Sequence, residues 1–389
     1  MAAQTPGLTG RFLFCMFPST MVPLLLLLAL LYAALVLLCA VALATGKWPA
    51  HPSFRPRVSI IIAARNEENV LPSCLEALGR LTYPRSLLDV VVVDDGSTDR
   101  TAAILRESAG HHSFLRYISA PQGGPLRGKV NALAHGIDAS HGEILLFTDA
   151  DCLVPPGWVE ETVRFYAEEG VGLVAGFTVL SGRSWFARVQ ALDWIVLFSL
   201  ASAALRLRFP LTAVGNNLSV RRSAYDAVGG YRKIPFSVTE DFALFRAVTS
   251  AGWAARFPLH PPAVVTSAPC TTIRQLLGQK RRWFLGGTAM HGMRRALFGV
   301  AYLFFAMLLL AAFSGEFVPL AVALAAKMAA DACLVLPALR SVHRLPLIAM
   351  LPFYQLYALF TTLVFPPMVL LHNRVVWKGR AVSNEKAPR

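Results

Sequence analysis

The stretch Phe147-Thr148-Asp149-Ala150-Asp151 closes the apolar run Ile144-Leu145-Leu146-Phe147 with two carboxylates one residue apart. A buried strand that stops there can aim both acids at a hard divalent cation, Mg2+ or Mn2+, and such a cation can hold a nucleotide diphosphate. A second run, Val90 to Val93, ends in Asp94-Asp95-Gly96-Ser97. A capped turn would account for Ser97 but poorly for the doubled acid. Gly128-Lys129 opens a helical stretch, where a lysine near a helix N-terminus suits phosphate. The longer segment Gly123 to Lys129 fits G-x-x-x-x-G-K, but a nucleoside-triphosphate loop is excluded. Val130 stands where a metal-binding hydroxyl is needed, and Pro125 removes a backbone donor. Thr239-Glu240-Asp241-Phe242 sets two acids at a helix start, where capping and proton abstraction are both open readings. In Gln279-Lys280-Arg281-Arg282-Trp283, helical spacing brings Gln279, Arg282 and Trp283 onto adjoining faces.

These groups need strands to aim them. Short β-branched runs at Val58 to Ala63, Val90 to Val93 and Ile144 to Phe147 alternate with helical stretches at Glu67 to Leu78, Asp99 to Ser108 and Gly128 to Ala139. That alternation predicts an α/β fold with a central, mostly parallel sheet covered by helices on both faces. Ser97 or Thr98 is the expected cap of the second helix. Ligands of such sheets bind beyond the carboxyl ends of the strands, where Asp95 and Asp149 fall.

A hydrophobic content of 55% in 389 residues exceeds what a water-soluble domain needs. From Phe12 to Gly46 there is no charged residue, and Met21 to Ala44 is long enough to span a bilayer core of about 30 Å. The length of that run favours a retained anchor over a cleaved signal peptide, although Ala42-Leu43-Ala44 imitates a cleavage motif. The expected division is an anchor in 1–50, a catalytic domain in 51–295, and a membrane region with a short basic tail in 296–389. Apolar blocks near Phe298 to Phe313, Val318 to Leu339 and Leu345 to Leu371 fit three spans, though with the first span they put the basic tail outside. Trp185 to Leu207, interrupted by Asp193, reads equally as an interfacial helix on the bilayer or as a core helix. Lys327 and Asp331, four apart on a span, are expected to neutralise each other as a structural pair.

The balance of 37 Lys+Arg against 23 Asp+Glu raises nucleic acid as a partner, and the distribution argues against it. Lys47, Arg55 and Arg57 follow the first span, and Arg274, Lys280, Arg281, Arg282, Arg294 and Arg295 precede the next apolar block. Such flanking charge is cytoplasmic by the positive-inside rule, so the central domain is expected to face the cytoplasm, and the expected setting is a bacterial plasma membrane with this chain as an integral protein. The six cysteines form no CxxC pair, so reduced, mostly buried thiols are expected.

The series Asp95, Asp149/Asp151, Glu240-Asp241 and Gln279/Arg282/Trp283 resembles the D, DxD, ED, QxxRW pattern of membrane-integrated family 2 glycosyltransferases. That branch includes ceramide and carotenoid glycosyltransferases and hyaluronan and cellulose synthases. The resemblance runs from about Val58 to Trp283 and recurs in the membrane tail. It implies a GT-A-like domain that binds a UDP-sugar and transfers glucose or a related hexose, with inversion, to a lipid-like hydroxyl. On that resemblance Ala63, Arg65, Glu67 and Asp95 line the uridine pocket, and Lys129 lies beside the diphosphate. Asp149 and Asp151 hold the metal, and Asp241 is the general base. Arg282 stabilises the diphosphate, while Gln279 and Trp283 shape the acceptor end. Gly215 to Arg222 and Val228 to Tyr231 match a loop near sugar and acceptor. QxxRW also marks processive polysaccharide synthases, so a synthase subunit is the alternative, and the modest membrane part favours the lipid acceptor. An inactive membrane scaffold of the same fold is a third reading, against which the completeness of the series stands.

Overall fold

A computed structural model describes residues 21–45, 50–287, 292–371, 375–377 and 380–382. Cys15, Lys47, Arg374 and Lys378 lie outside the described residues. The strands are Val58–Ala64 (β1), Leu88–Asp94 (β2), Leu115–Ser119 (β3), Ile144–Phe147 (β4), Cys152–Leu153 (β5), Val171–Ala175 (β6), Thr178–Leu180 (β7), Leu218–Arg221 (β8), Ala254–Arg256 (β9) and Val265–Ser267 (β10), followed by the short pair Val375–Trp377 (β11) and Arg380–Val382 (β12). Helices begin with Met21–Thr45 (α1), Leu71–Gly79 (α2), Thr101–His111 (α3), Gly128–Asp138 (α4), Trp158–Val163 (α5) and Trp185–Arg206 (α6). They continue with Arg222–Ala227 (α7), Gly230–Lys233 (α8), Glu240–Ser250 (α9), Ile273–Gly287 (α10), Met293–Phe313 (α11), Phe317–Ser341 (α12) and Leu351–Leu371 (α13).

Seven strands form the main sheet in the order β3-β2-β1-β4-β8-β6-β9. The pairs β3–β2, β2–β1, β1–β4 and β6–β9 are parallel, while β8 runs antiparallel to both β4 and β6. Apolar residues run without a break along β4 because both of its faces are covered. The two faces feed different cores, as the period of two requires. Ile60, Ile62, Val90, Val92, Ile144 and Leu146 pack with Leu71 of α2 and Trp158 of α5. Ile61, Val91, Val93, Leu145 and Phe147 belong to a core that runs through Leu133 of α4 and Ile195 of α6 to Leu25, Phe304 and Ala338. Register then decides the site. Ala64 lies opposite Asp94 and Ile61 opposite Phe147, so Arg65, Asp95 and Asp149 emerge along one carboxyl edge.

Local chemistry moves several expected boundaries. The first crossover helix starts at Leu71 and not at Glu67, because Asn66 adopts a positive φ of 53° and its side chain accepts from the Thr98 amide at 2.8 Å. Neither Ser97 nor Thr98 caps α3. The Ser97 hydroxyl is spent on Asp94, and Asp99 accepts the Thr101 amide at 3.0 Å instead. Of the two readings of 185–207, the core helix describes the packing: α6 lies against β7, α1, α12 and α13, and most of its residues are buried. Its apolar run lacks a polar face because neighbours cover it nearly all round. The five described cysteines are free, but only Cys74 and Cys152 are buried; Cys39 and Cys270 are half-buried and Cys333 is exposed.

Among the described residues, five helices are long and apolar enough to cross a membrane: α1, α6, α11, α12 and the segment Leu345–Pro367 that leads through α13. Lys327 and Asp331 of α12 meet at 2.7 Å with side chains only 1% exposed. Gln355 of α13 accepts from Lys327 at 2.7 Å and donates to Asp331 at 3.2 Å, and Tyr32 of α1 donates to the other Asp331 oxygen at 2.7 Å. Both charges are therefore satisfied inside the helix bundle, which makes their burial tolerable.

Candidate active site

Beyond the carboxyl edge of the sheet lies a cavity of about 1050 Å³. Ala63, Glu67, Lys129, Asp149, Asp151, Asp241, Gln279, Arg282 and Trp283 all line it, so residues spread over more than two hundred positions meet around one space. Each element delivers its group for a local reason. β4 stops at Phe147 and turns Asp149 and Asp151 outward. α4 begins at Gly128, putting Lys129 in its first turn, and α9 begins with Glu240 and Asp241. The basic and aromatic face of α10 closes the remaining side. Close approach there depends on Gly286, where a Cβ would stand 2.0 Å from the Thr239 hydroxyl.

Two expected donor-pocket residues stand at the edge of the cavity. Arg65 and Asp95 do not line the cavity: the Arg65 guanidinium turns back onto the carbonyls of Asp95 and Gly96, and Asp95 is buried behind Gln122, whose amide reaches its carboxylate at 3.4 Å. Asp94, the other acid of the pair, holds the turn by accepting the Ser97 amide at 3.0 Å. The doubled acid thus divides its labour between turn and pocket edge.

The centre of the site is ionic. Lys129 Nζ lies 2.7 Å from Asp149 Oδ1 and 2.8 Å from Glu240 Oε1. Burial opposes the Lys129 charge, but Asp149 and Glu240 outweigh it and hold the ammonium well above its ordinary pKa. Asp241 accepts from the Gly215 amide at 2.6 Å and from its neighbour Phe242 at 2.7 Å. Burial and the adjacent Glu240 push its carboxyl up to about 6, while Lys129 and the two amides pull the other way. A carboxylate so tuned is still ionised at neutral pH and is a stronger base than an ordinary aspartate. Glu240 is the member of this constellation that sequence reading left among capping residues. Its adjacency to Asp241 was visible, but its partner Lys129 lies on another helix.

Ligand atoms of Asp149, Asp151 and Cys152 lie within 4.8 Å of one another. Burial and the neighbouring Asp151 and Asp149 charges raise the Cys152 thiol well above its usual range, so it stays protonated. The donors on offer are then carboxylate oxygens, and that set fits a hard divalent cation.

The family model described as "Glycosyl transferase family 2" matches residues 59–229. Residues 59–229 form a family 2 glycosyltransferase domain. Among relatives of the chain, the probable glycosyltransferase YdaM of Bacillus subtilis is 28% identical over 249 residues, 62% of this chain and 57% of that protein. The beta-monoglucosyldiacylglycerol synthase of Synechocystis is 30% identical over 241 residues, 60% of this chain and 48% of that protein. The chain thus spans about half the length of these relatives. Among solved structures, a mannosyltransferase of Pyrobaculum calidifontis in complex with GDP-Man and Mn2+ superposes with a TM-score of 0.56 at 22% identity, covering 87% of this chain and 99% of its own. The glycosyltransferase domain therefore has the GT-A fold, with its mostly parallel sheet and the long apolar helices of the chain around it.

Proposed function

We propose that this protein is a membrane-embedded, inverting hexosyltransferase that moves a sugar from a UDP-sugar to a lipid-like hydroxyl on the cytoplasmic side of a plasma membrane. The observation that carries the reading is the meeting of Asp149, Asp151, Asp241 and Arg282 around one cavity whose far wall, Trp194 and Trp283, is apolar and continuous with the helices long enough to cross a bilayer. Glycolipid synthesis by relatives named beta-monoglucosyldiacylglycerol synthase supports the acceptor class.

In this reading Asp241 accepts the proton of the acceptor hydroxyl as its oxygen bonds to the anomeric carbon, and the bond from that carbon to the UDP oxygen breaks on the opposite face. The carboxyl, at about 6, is deprotonated and ready at neutral pH. Arg282 lies where a guanidinium can pair with diphosphate oxygens, and Lys129 carries a second positive charge into the same space. Asp149 and Asp151 would hold the Mg2+ or Mn2+, which when bound supplies positive charge against the departing diphosphate. Trp283 and Gln279 line the acceptor end, an indole being suited to an apolar chain and the amide to a hydroxyl. The GT-A fold with Arg65 and Asp95 held beside the pocket supports a uridine site at the edge of β1 and β2.

The test is to supply membranes containing the protein with labelled UDP-glucose, other UDP-hexoses and GDP-mannose, then to partition the product between organic solvent and water. Label in the organic phase on a compound with a small, fixed number of sugars is expected. A long, glycosidase-sensitive polymer would make the protein a polysaccharide synthase, and no transfer from any donor would leave a scaffold.

A further inference from the structure

Two charged residues near the site have no part in that chemistry. Asp193 interrupts the apolar run of α6, and Lys280 lies between the site residues Gln279 and Arg282 on α10. They are 87 positions apart and form a direct ion pair, Lys280 Nζ to Asp193 Oδ2, with side chains only 13% and 14% exposed. Lys280 does more than pair. Its ammonium sits 4.6 Å from the centroid of the Trp283 ring, and the Trp194 ring approaches that same indole at 5.5 Å. Asp193 and Trp194 are consecutive on α6, and Lys280 and Trp283 are three apart on α10, so each helix contributes two points to one grip. Tyr357 of α13 adds its hydroxyl to the Asp193 carboxylate at 3.4 Å and its ring 5.6 Å from Lys280.

Energetics argue that this pair is not there for stability. Taking both charges out of water costs about as much as their attraction returns, and a well-packed apolar pair is commonly as stable or more so. What an ion pair adds is direction: the carboxylate fixes where the ammonium stands, and the ammonium fixes which face of the indole is covered. Trp283 lines the cavity, whereas Asp193 and Lys280 do not. We propose that Asp193, Lys280 and Tyr357 are positioning residues that hold Trp283, and with it the acceptor end of the cavity, in register with the membrane helices. The assignment rests on the functional reading above, since it names which substrate the grip serves. The clamp acts on the acceptor through Trp283, whereas the donor's metal ligands Asp149 and Asp151 follow β4, so metal-dependent UDP binding changes less than acceptor use.

Four variants in detergent test this: Asp193→Asn, Lys280→Gln, Lys280→Arg, and the reversal Asp193→Lys/Lys280→Asp. For Asp193→Asn and Lys280→Gln, kcat/KM for the acceptor should fall about tenfold to a hundredfold, the scale of a misplaced reacting group, while UDP affinity with Mn2+ stays within about twofold. Lys280→Arg keeps a cation on the indole and should retain activity; the reversal should recover part of what the single changes lose. Equal losses for acceptor and donor, or a reversal no better than the singles, overturn the proposal. Hydrogen exchange of 273–287 is followed in parallel and does not depend on turnover. Faster exchange in Asp193→Asn that the reversal slows supports the grip, and unchanged exchange in every variant overturns it. If the wild-type protein transfers no sugar, the functional reading fails while the exchange data still decide the clamp. Should Asp193→Asn fail to fold, Tyr357→Phe removes one contact of the same carboxylate; a raised acceptor KM at unchanged UDP affinity is expected, and no change in either rejects Tyr357 and the grip with it.

Discussion

Among the lysine–carboxylate clusters of the described residues, two are built to opposite ends. Lys327 with Asp331, Gln355 and Tyr32 is closed: both charged side chains are 1% exposed, and each finds its partners among three helices. Lys129 with Asp149 and Glu240 is open, facing the cavity with the lysine 22% and Asp149 35% exposed. The pairing chemistry is the same; the access differs. A sealed cluster can only hold helices together, because any ligand must first break contacts that nothing else replaces. In the open one water or an incoming phosphate can take over from either partner, so the pair can part at small cost. Charge burial by itself therefore marks no site, and charge burial beside a space does.

The sharpest way to break this contrast is the same substitution in both places. Lys327→Met should cost about 3–5 kcal/mol, since Asp331 is left ionised without its cation, and the companion Lys327→Met/Asp331→Leu should return most of it. Thermal unfolding in detergent measures both, and a double variant that folds normally yet loses transfer would move the sealed cluster into the function. Next in size is Asp241→Asn. Turnover should fall about 10²-fold or more while UDP affinity persists, because the amide keeps the size of the acid and accepts no proton from the acceptor hydroxyl. Near-normal turnover would remove Asp241 as the base. Asp149→Ala should weaken metal-dependent UDP binding by about tenfold or more, read by titration with and without Mn2+; an unchanged affinity would sink the metal assignment. Lys129→Met closes the series, with a stability loss smaller than that of Lys327→Met because water can reach the carboxylates it leaves behind. Its second effect is on pH. The active form of Asp241 is the ionised one, so transfer should decline as pH drops through about 6, and losing the Lys129 charge that lowers this pKa should shift the decline to higher pH. A pH–rate profile that stays in place would show that the two groups are not electrostatically linked.

What could be read from the chain in advance follows from how local each signal is. Asp149, Asp151 and Lys129 were legible because strand ends and helix starts are written in neighbouring residues, and the buried strands announced themselves as unbroken apolar runs. Lys327 and Asp331 were legible for the same reason, at i and i+4. Tyr32 and Gln355, which complete that cluster, come from other helices and left no trace in the spacing. The caps failed where tertiary partners outbid local ones: Asp94 claims Ser97, and Asn66 claims the amide of Thr98. Asp193 interrupts an apolar run whose place the spacing leaves open between bilayer surface and core, and its partner Lys280 becomes visible only with α6 and α10 side by side.

The continuous core that passes from the sheet through α6 to α1, α11 and α12 has a practical outcome for anyone handling the protein. Cut at 51 and 295, the chain would keep every residue around the cavity and still lose the packing partners of Leu192, Ile195 and Val196, leaving a greasy flank exposed to water. Such a fragment should precipitate or require detergent, and refolding it without the terminal helices should give material that binds nucleotide poorly because α6 has nothing to lean on. The long apolar helices α1, α11 and α12 then form one half of the hull around the core that carries the cavity.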